Sequence, residues 1–190
     1  MNVIRWMVVS AVVIAVGVAG SVNAGTLDAV KQKGYVNAGV SGKVVGFSAP
    51  DAKGVWAGID VDFIRAVAAA IFDDPAKTRF TPVAFKESFT ALQSGEIDIL
   101  ARNTTWTGLR DLTEGVSFAG ILFYDGQGFM VSRATDKLST LELNNAVICA
   151  IENTTSAENA KRYFTRHRMS MELLLHPDLS SALADYLEGK

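Results

Sequence analysis

Cysteine is nearly absent from this sequence: Cys149 stands alone among 190 residues, so no disulfide can form within the chain. Histidine occurs only as His167 and His176, and neither their number nor their setting makes a Ser-His-Asp arrangement or a metal-ligand spacing. No metal or other cofactor is expected. Basic charge is also short: 18 Lys and Arg against 20 Asp and Glu leave a formal charge of -2, with no basic stripe. Nucleic acid is therefore not expected as a partner. Long apolar runs are missing with one exception, residues 7–19, and serines, glycines and Asn23 interrupt that region before it reaches the roughly 20 residues a spanning helix needs.

That exception has a meaning of its own. Arg5 precedes it and Val22-Asn23-Ala24 follows, giving the charged start, apolar middle and small-residue end of a secretory leader. Cleavage is expected after Ala24. A retained membrane anchor is the alternative, disfavoured by the polar interruptions, and no cysteine stands near the cleavage point to take a lipid. Loss of the leader removes Arg5 and moves the formal charge to about -3. Cys149 lies in the apolar run 146–151 and is expected in the core, where a free thiol behaves as a small hydrophobe. With 49% apolar residues in the whole sequence, the remainder is rich enough to pack one.

Past the leader, short apolar runs alternate with helical patterns. A helix over 27–33 ended by Gly34 leads to a strand over 35–40. The turn Asp51-Ala52-Lys53-Gly54 leads through 55–61 to a helix whose Phe63, Ile64, Val67, Ala68 and Ile71 share one face. Asp60 or Asp62 is expected to cap it, and Asp73-Asp74-Pro75 to stop it. A strand over 79–85, a helix over 89–93 closed by Gly95, and a strand over 97–101 follow. Residues 116–123 and 128–132 read as strands joined by a turn. Gly126-Gln127-Gly128 lacks the third glycine of a dinucleotide fingerprint and is read as that turn. After a polar crossover at 133–137 comes a second unit: strand 146–151, helix 155–168, strand 171–175, helix 179–187. Its acidic start and basic end suit the helix dipole. This alternation predicts an α/β fold with a mainly parallel sheet and helices on both faces.

The stretch 96–111 organises the rest. An apolar strand there ends in Asn103-Thr104-Thr105, which places hydroxyls and free N–H groups at a strand's carboxyl end, where open α/β sheets bind ligands. Arg110 adds a planar fork suited to a carboxylate. The same tripeptide recurs at the end of the strand 146–151, as Asn153-Thr154-Thr155. Two such strand ends facing one another predict a cleft for a small anionic or zwitterionic ligand. N-glycosylation at either Asn-X-Thr is the formal alternative.

Residues 25–132 resemble the first lobe of the family 3 extracellular solute-binding proteins of polar amino-acid ABC transporters, in particular the general L-amino-acid-binding subgroup. The likeness rests on Gly46-Phe47-Ser48-Ala49-Pro50-Asp51, Gly58-Ile59-Asp60-Val61-Asp62, Ala101-Arg102-Asn103-Thr104-Thr105-Trp106-Thr107 and Tyr124-Asp125-Gly126-Gln127-Gly128-Phe129, and it extends over 89–98. It implies a type II periplasmic binding protein of two α/β lobes that close on a ligand like a hinge. Lobe 1 would be 25–133 and lobe 2, expected to be incomplete, 134–190. By the same resemblance Arg110 binds the ligand's α-carboxylate, Thr105 shares it, and Asn103 contacts the α-amino group through its backbone. Phe85 walls the pocket, Thr155 and Thr154 supply donors from the second lobe, and Arg102 contacts a polar ligand side chain. Trp106 is divided between pocket and core.

The implied function is periplasmic capture of a polar L-amino acid, of the glutamate, glutamine, aspartate and asparagine class or more broadly, by a monomer that serves an inner-membrane ABC permease. Departures from the pattern are Val44, where many relatives carry an aromatic, and Glu152-Asn153 in place of a small pair, which sets a carboxylate beside the expected anion site. The relatives' acidic ligand for the α-amino group and their second crossover would follow Gly189-Lys190, so the chain reads as a C-terminally truncated form. As such it is expected to gain little thermal stability from ligand. A non-binding fragment, and an enzyme of the dehydratase or lyase kind on the same fold, are the alternatives.

Overall fold

The computed structural model of the protein describes residues 25–189. The expected leader and its cleavage point at Ala24 lie outside them. Helix α1 (Thr26–Lys33) closes on Gly34, whose left-handed backbone lets its N–H reach the Val30 carbonyl. Strand β1 (Val36–Val40) follows and is buried along its whole length. It is the middle of a parallel sheet ordered β4-β1-β5, with β4 at Thr78–Pro82 and β5 at Ile99–Leu100. Val36, Ala38 and Val40 pack with Val30, Ile64 and Ala68 on one face, under α1 and helix α2 (Ile59–Phe72). The opposite face carries Val83, Ala91 and Ile97, under helix α3 (Ser88–Gln93). Helices therefore cover both faces. On that second face Gly39 leaves the space that Ile97 fills, since a Cβ there would stand 2.4 Å from Ile97 Cδ1 and that side chain would have to shift.

Polar groups inside this sheet are matched. Asn37 donates from its backbone to Asp98 and from its amide to the Glu96 carbonyl, and accepts from Thr81, each within 2.8 Å. Asp98 also holds Lys33 at 2.6 Å. β5 has two strand residues rather than the expected five. Its hydrogen bonds to β1 nevertheless continue at both ends, from Asp98 N to Asn37 O and from Ala101 N to Gly39 O. β4 ends at Pro82, one further bond runs from Val83 N to Val40 O, and Phe85–Glu87 turns into a 3-10 helix where a strand was expected.

The start of α2 also departs from expectation. Neither Asp60 nor Asp62 caps it: the N-cap is Gly58, and the carbonyls of Gly46 and Phe47 receive the N–H groups of Ile59 and Asp60. Strands β2 (Ala49–Pro50) and β3 (Trp56–Ala57) form a small antiparallel pair that returns the chain to this point. The backbone caps make a side-chain cap unnecessary, and Asp60 turns inward instead.

The second unit holds two parallel strands, β6 (Ala146–Ile151) and β7 (Met171–His176), paired over six residues each. Helix α5 (Thr155–Arg166) connects them, and α6 (Leu179–Leu187) follows β7. Short helix α4 (Gly108–Thr113) belongs to the first unit. Residues 116–123 and 128–132 are not strands, against the expectation. Their apolar character specifies extended backbone, but a strand exists only where a neighbour completes the ladder, and no described strand pairs with them. Cys149 is half-buried on β6, less enclosed than expected. Among the described residues no helix is long and apolar enough to cross a membrane.

Candidate functional site

The site grows from the C-terminal end of β5. The chain leaves the sheet at Ala101, crosses Arg102 to Trp106 as irregular backbone and re-enters helix at α4, whose N-cap Thr107 accepts from the Arg110 N–H at 3.2 Å. That cap fixes where Arg110 begins. Its side chain is buried, with Nη1 donating to the Thr105 carbonyl at 2.9 Å. The guanidinium lies 5.2 Å from the Phe85 ring centroid and 5.7 Å from that of Phe89. Burial lowers its pKa, and Glu114 opposes the shift. Among the described residues Arg110 forms no ion pair. A guanidinium set against two rings, with a carbonyl as its hydrogen-bond partner, has the chemistry to pair with an external carboxylate.

The opposite wall is the start of α5. Thr154 is its N-cap: its hydroxyl donates to Ile151 O at 2.6 Å and accepts from Ala157 N at 3.3 Å, so it is committed within the protein. Thr155 is the free member of the pair. Its hydroxyl stands 3.1 Å from that of Thr105, so the two repeated tripeptides meet through these oxygens. Asn153 holds a left-handed backbone at φ 59°, which turns the chain from β6 into the helix. Asn103 is exposed, and Phe85 is half-buried beside the guanidinium. Arg102 is also brought in, 5.2 Å from Phe85, but it donates to the Val83 carbonyl at 2.7 Å. Trp106 stacks on Phe118 at 5.2 Å and is 43% exposed, away from the core.

Three contributors escape the sequence reading. Phe89 forms the second ring at Arg110. Gln127, read only as part of a turn, donates to Ser156 O at 2.9 Å and accepts from Asn159 at 3.0 Å, so it clasps the first turn of α5. A long amide between two glycines was its only signal. Asp60 is buried and accepts from Ser48 at 3.0 Å, and burial raises its pKa against the opposing effects of Ser48 and Arg102. A sizeable cavity lies elsewhere: an apolar space of about 800 Å³ between β6 and α6, lined among others by Met130, Ile148 and Leu183, that includes neither Arg110 nor Thr105. Among the described residues no three metal-ligating side chains gather.

The model for the bacterial extracellular solute-binding proteins, family 3, matches residues 36–171. The chain belongs to that family. It is 48% identical over 182 residues to the general L-amino acid-binding periplasmic protein AapJ of Rhizobium johnstonii, covering 96% of this chain and 53% of that protein. It is 43% identical over 159 residues to the glutamate/glutamine/aspartate/asparagine-binding protein BztA of Rhodobacter capsulatus, covering 84% and 47%. Among solved structures, a periplasmic binding protein of an ABC transporter from Brucella ovis, with glutathione bound, superposes with a TM-score of 0.83 at 48% identity, over 87% of this chain and 52% of that one. An ancestral amino-acid-binding protein, a precursor of cyclohexadienyl dehydratase, superposes at 0.73 with 25% identity, over 87% and 72%. The family's α/β fold, that of type II periplasmic binding proteins, is thus the fold here, and the chain spans about half the length of the curated relatives it matches.

Proposed function

We propose that this chain carries the amino-acid site of the periplasmic binding component of an ABC importer, taking polar L-amino acids of the glutamate, glutamine, aspartate and asparagine class. One observation carries the reading: Arg110 is buried between Phe85 and Phe89 with no ion pair among the described residues, and it donates to the carbonyl of Thr105, whose hydroxyl meets that of Thr155. The α-carboxylate bridges Arg110 and the two hydroxyls, Asn103 meets the α-amino group through its backbone, and Phe85 walls the side chain. Thr154 acts indirectly, by capping the helix that presents Thr155. The names of AapJ and BztA support the ligand class. Glutathione, named with the Brucella structure, contains a free α-amino acid head group of the same chemistry.

On this reading lobe 1 is 25–133 and lobe 2 begins at 134, with Gln127 already fastened to the second. The mature chain begins after Ala24, resides in the periplasm as a monomer, and hands its ligand to an inner-membrane permease. Binding without turnover is favoured over dehydratase or lyase chemistry because the one buried histidine, His176, faces Asp185 at 3.9 Å within the second unit rather than the Arg110 loop. The test is titration calorimetry of the chain with L-glutamate and with its α-amide. Saturable heat with glutamate that disappears with the α-amide is expected. Equal binding of the two, or of neither, would sink the assignment.

A further inference from the structure

Arg102 is the half-buried cation for which a ligand contact fits least well. Its Nη1 donates to Val83 O, and its Nε is sealed from solvent with no partner among the described residues. A guanidinium enclosed in this way is poorly placed to reach a ligand side chain. What it does touch is Phe85, at 5.2 Å from the ring centroid, and Arg110 lies against the same ring at the same distance. Ring faces attract cations, so one ring links the two arginines.

The surroundings hold Arg102 on both sides. Val83 N is bonded to Val40 O at 3.0 Å, which ties the Val83 carbonyl to the central strand. Ser88 Oγ donates to Phe85 O at 2.8 Å and fixes the backbone below the ring. Elsewhere in the interior the Asp60 carboxylate is held by Ser48, whose oxygen also accepts from Ser41 N at 3.2 Å. A desolvated cation is stable only when a counter-charge and hydrogen bonds replace water. Asp60 is the charge that acts on Arg102.

We propose that Arg102, tied to the Val83 carbonyl, is a positioning residue that sets the Phe85 ring on which Arg110 lies, and so aims the Arg110 fork. The proposal deepens the reading of Arg110 as the carboxylate site and rests on it for its meaning, but its geometry is testable without ligand. The experiment is nuclear magnetic resonance of the chain with labelled arginine side chains and no amino acid added. Phe85→Leu first identifies the ring-current displacement of the Arg110 Nε–H signal. Arg102→Met is then expected to lose that displacement, as Phe85→Leu does, while the amide spectrum stays folded. An unchanged Arg110 signal in folded Arg102→Met overturns the proposal, because a role in stability alone would lower the melting temperature and leave that signal in place. Should Arg102→Met fail to fold, Arg102→Lys keeps the stem and charge but not the fork. Partial loss of the displacement supports the proposal, and none overturns it. Failure to bind any amino acid would sink the functional reading and leave this result standing.

Discussion

At Asp60 the protein keeps an acid 3% exposed with Ser48 as its hydrogen-bond donor and Arg102 as its counter-charge. Desolvation wins, and the pKa is raised. An acid with a raised folded pKa holds its proton more tightly in the folded state. Its contribution favours folding below the unfolded value, about 3.9, and is lost as pH rises through the folded value. The stability of the wild type relative to Asp60→Asn is therefore expected to decline as pH rises across that window, as read from urea midpoints at stepped pH. A flat difference would show that the carboxylate is not desolvated. Gly58 is as constrained as Asp60 is enclosed: at φ 120° its missing Cβ would stand 2.2 Å from Phe47 O. Gly58→Ala should destabilise by roughly 1–3 kcal/mol through backbone strain and displacement of the loop that caps α2. A urea curve indistinguishable from wild type would refute that. Sequence pattern marked 58–62 as a helix entry but gave the capping role to an aspartate, because propensity sees side chains and not the distant carbonyls of Gly46 and Phe47.

Among the elements, α5 is the one on which the second wall depends. Thr154→Ala removes its cap and should lower stability by about 0.5–2 kcal/mol, whereas Thr154→Ser should restore it. Denaturant midpoints of the three proteins decide this. Gln127→Leu keeps volume and removes both bonds to the first turn, with an expected loss of roughly 1 kcal/mol and faster hydrogen exchange at the start of α5. Unchanged exchange there would mean the clasp is only a surface contact. β1, β6, β7, α5 and α6 were all legible in the sequence, since each carries its own period or apolar run between turn signals. Residues 116–132 were not, because an extended, apolar segment becomes a strand through its neighbour, and a neighbour is not a local property. The grouping of residues at the candidate site was legible in the repeated Asn-Thr-Thr and in Arg110, which the fold brings together. The division of labour between Thr154 and Thr155 was not, since both are hydroxyls at a helix start and only the fold shows which one caps.

For the whole molecule, the consequential contact is between Thr105 and Thr155, 50 positions apart in the chain and brought to 3.1 Å by two separate parallel sheets. This joins the first unit, with its buried arginine, to the second, with its helix start. The chain spans about half the length of the curated relatives it matches. At a ligand concentration equal to Kd, mass action adds only RT ln 2, about 0.4 kcal/mol, so a melting curve moves little even when the site is occupied. Amide resonances are the better probe. Titration of L-glutamate into the labelled chain should move the Thr105 and Thr155 amide signals together along one saturable curve in the wild type, and leave both still in Arg110→Met. Identical shifts in the two proteins, or none in the wild type, would contradict a carboxylate site built on Arg110.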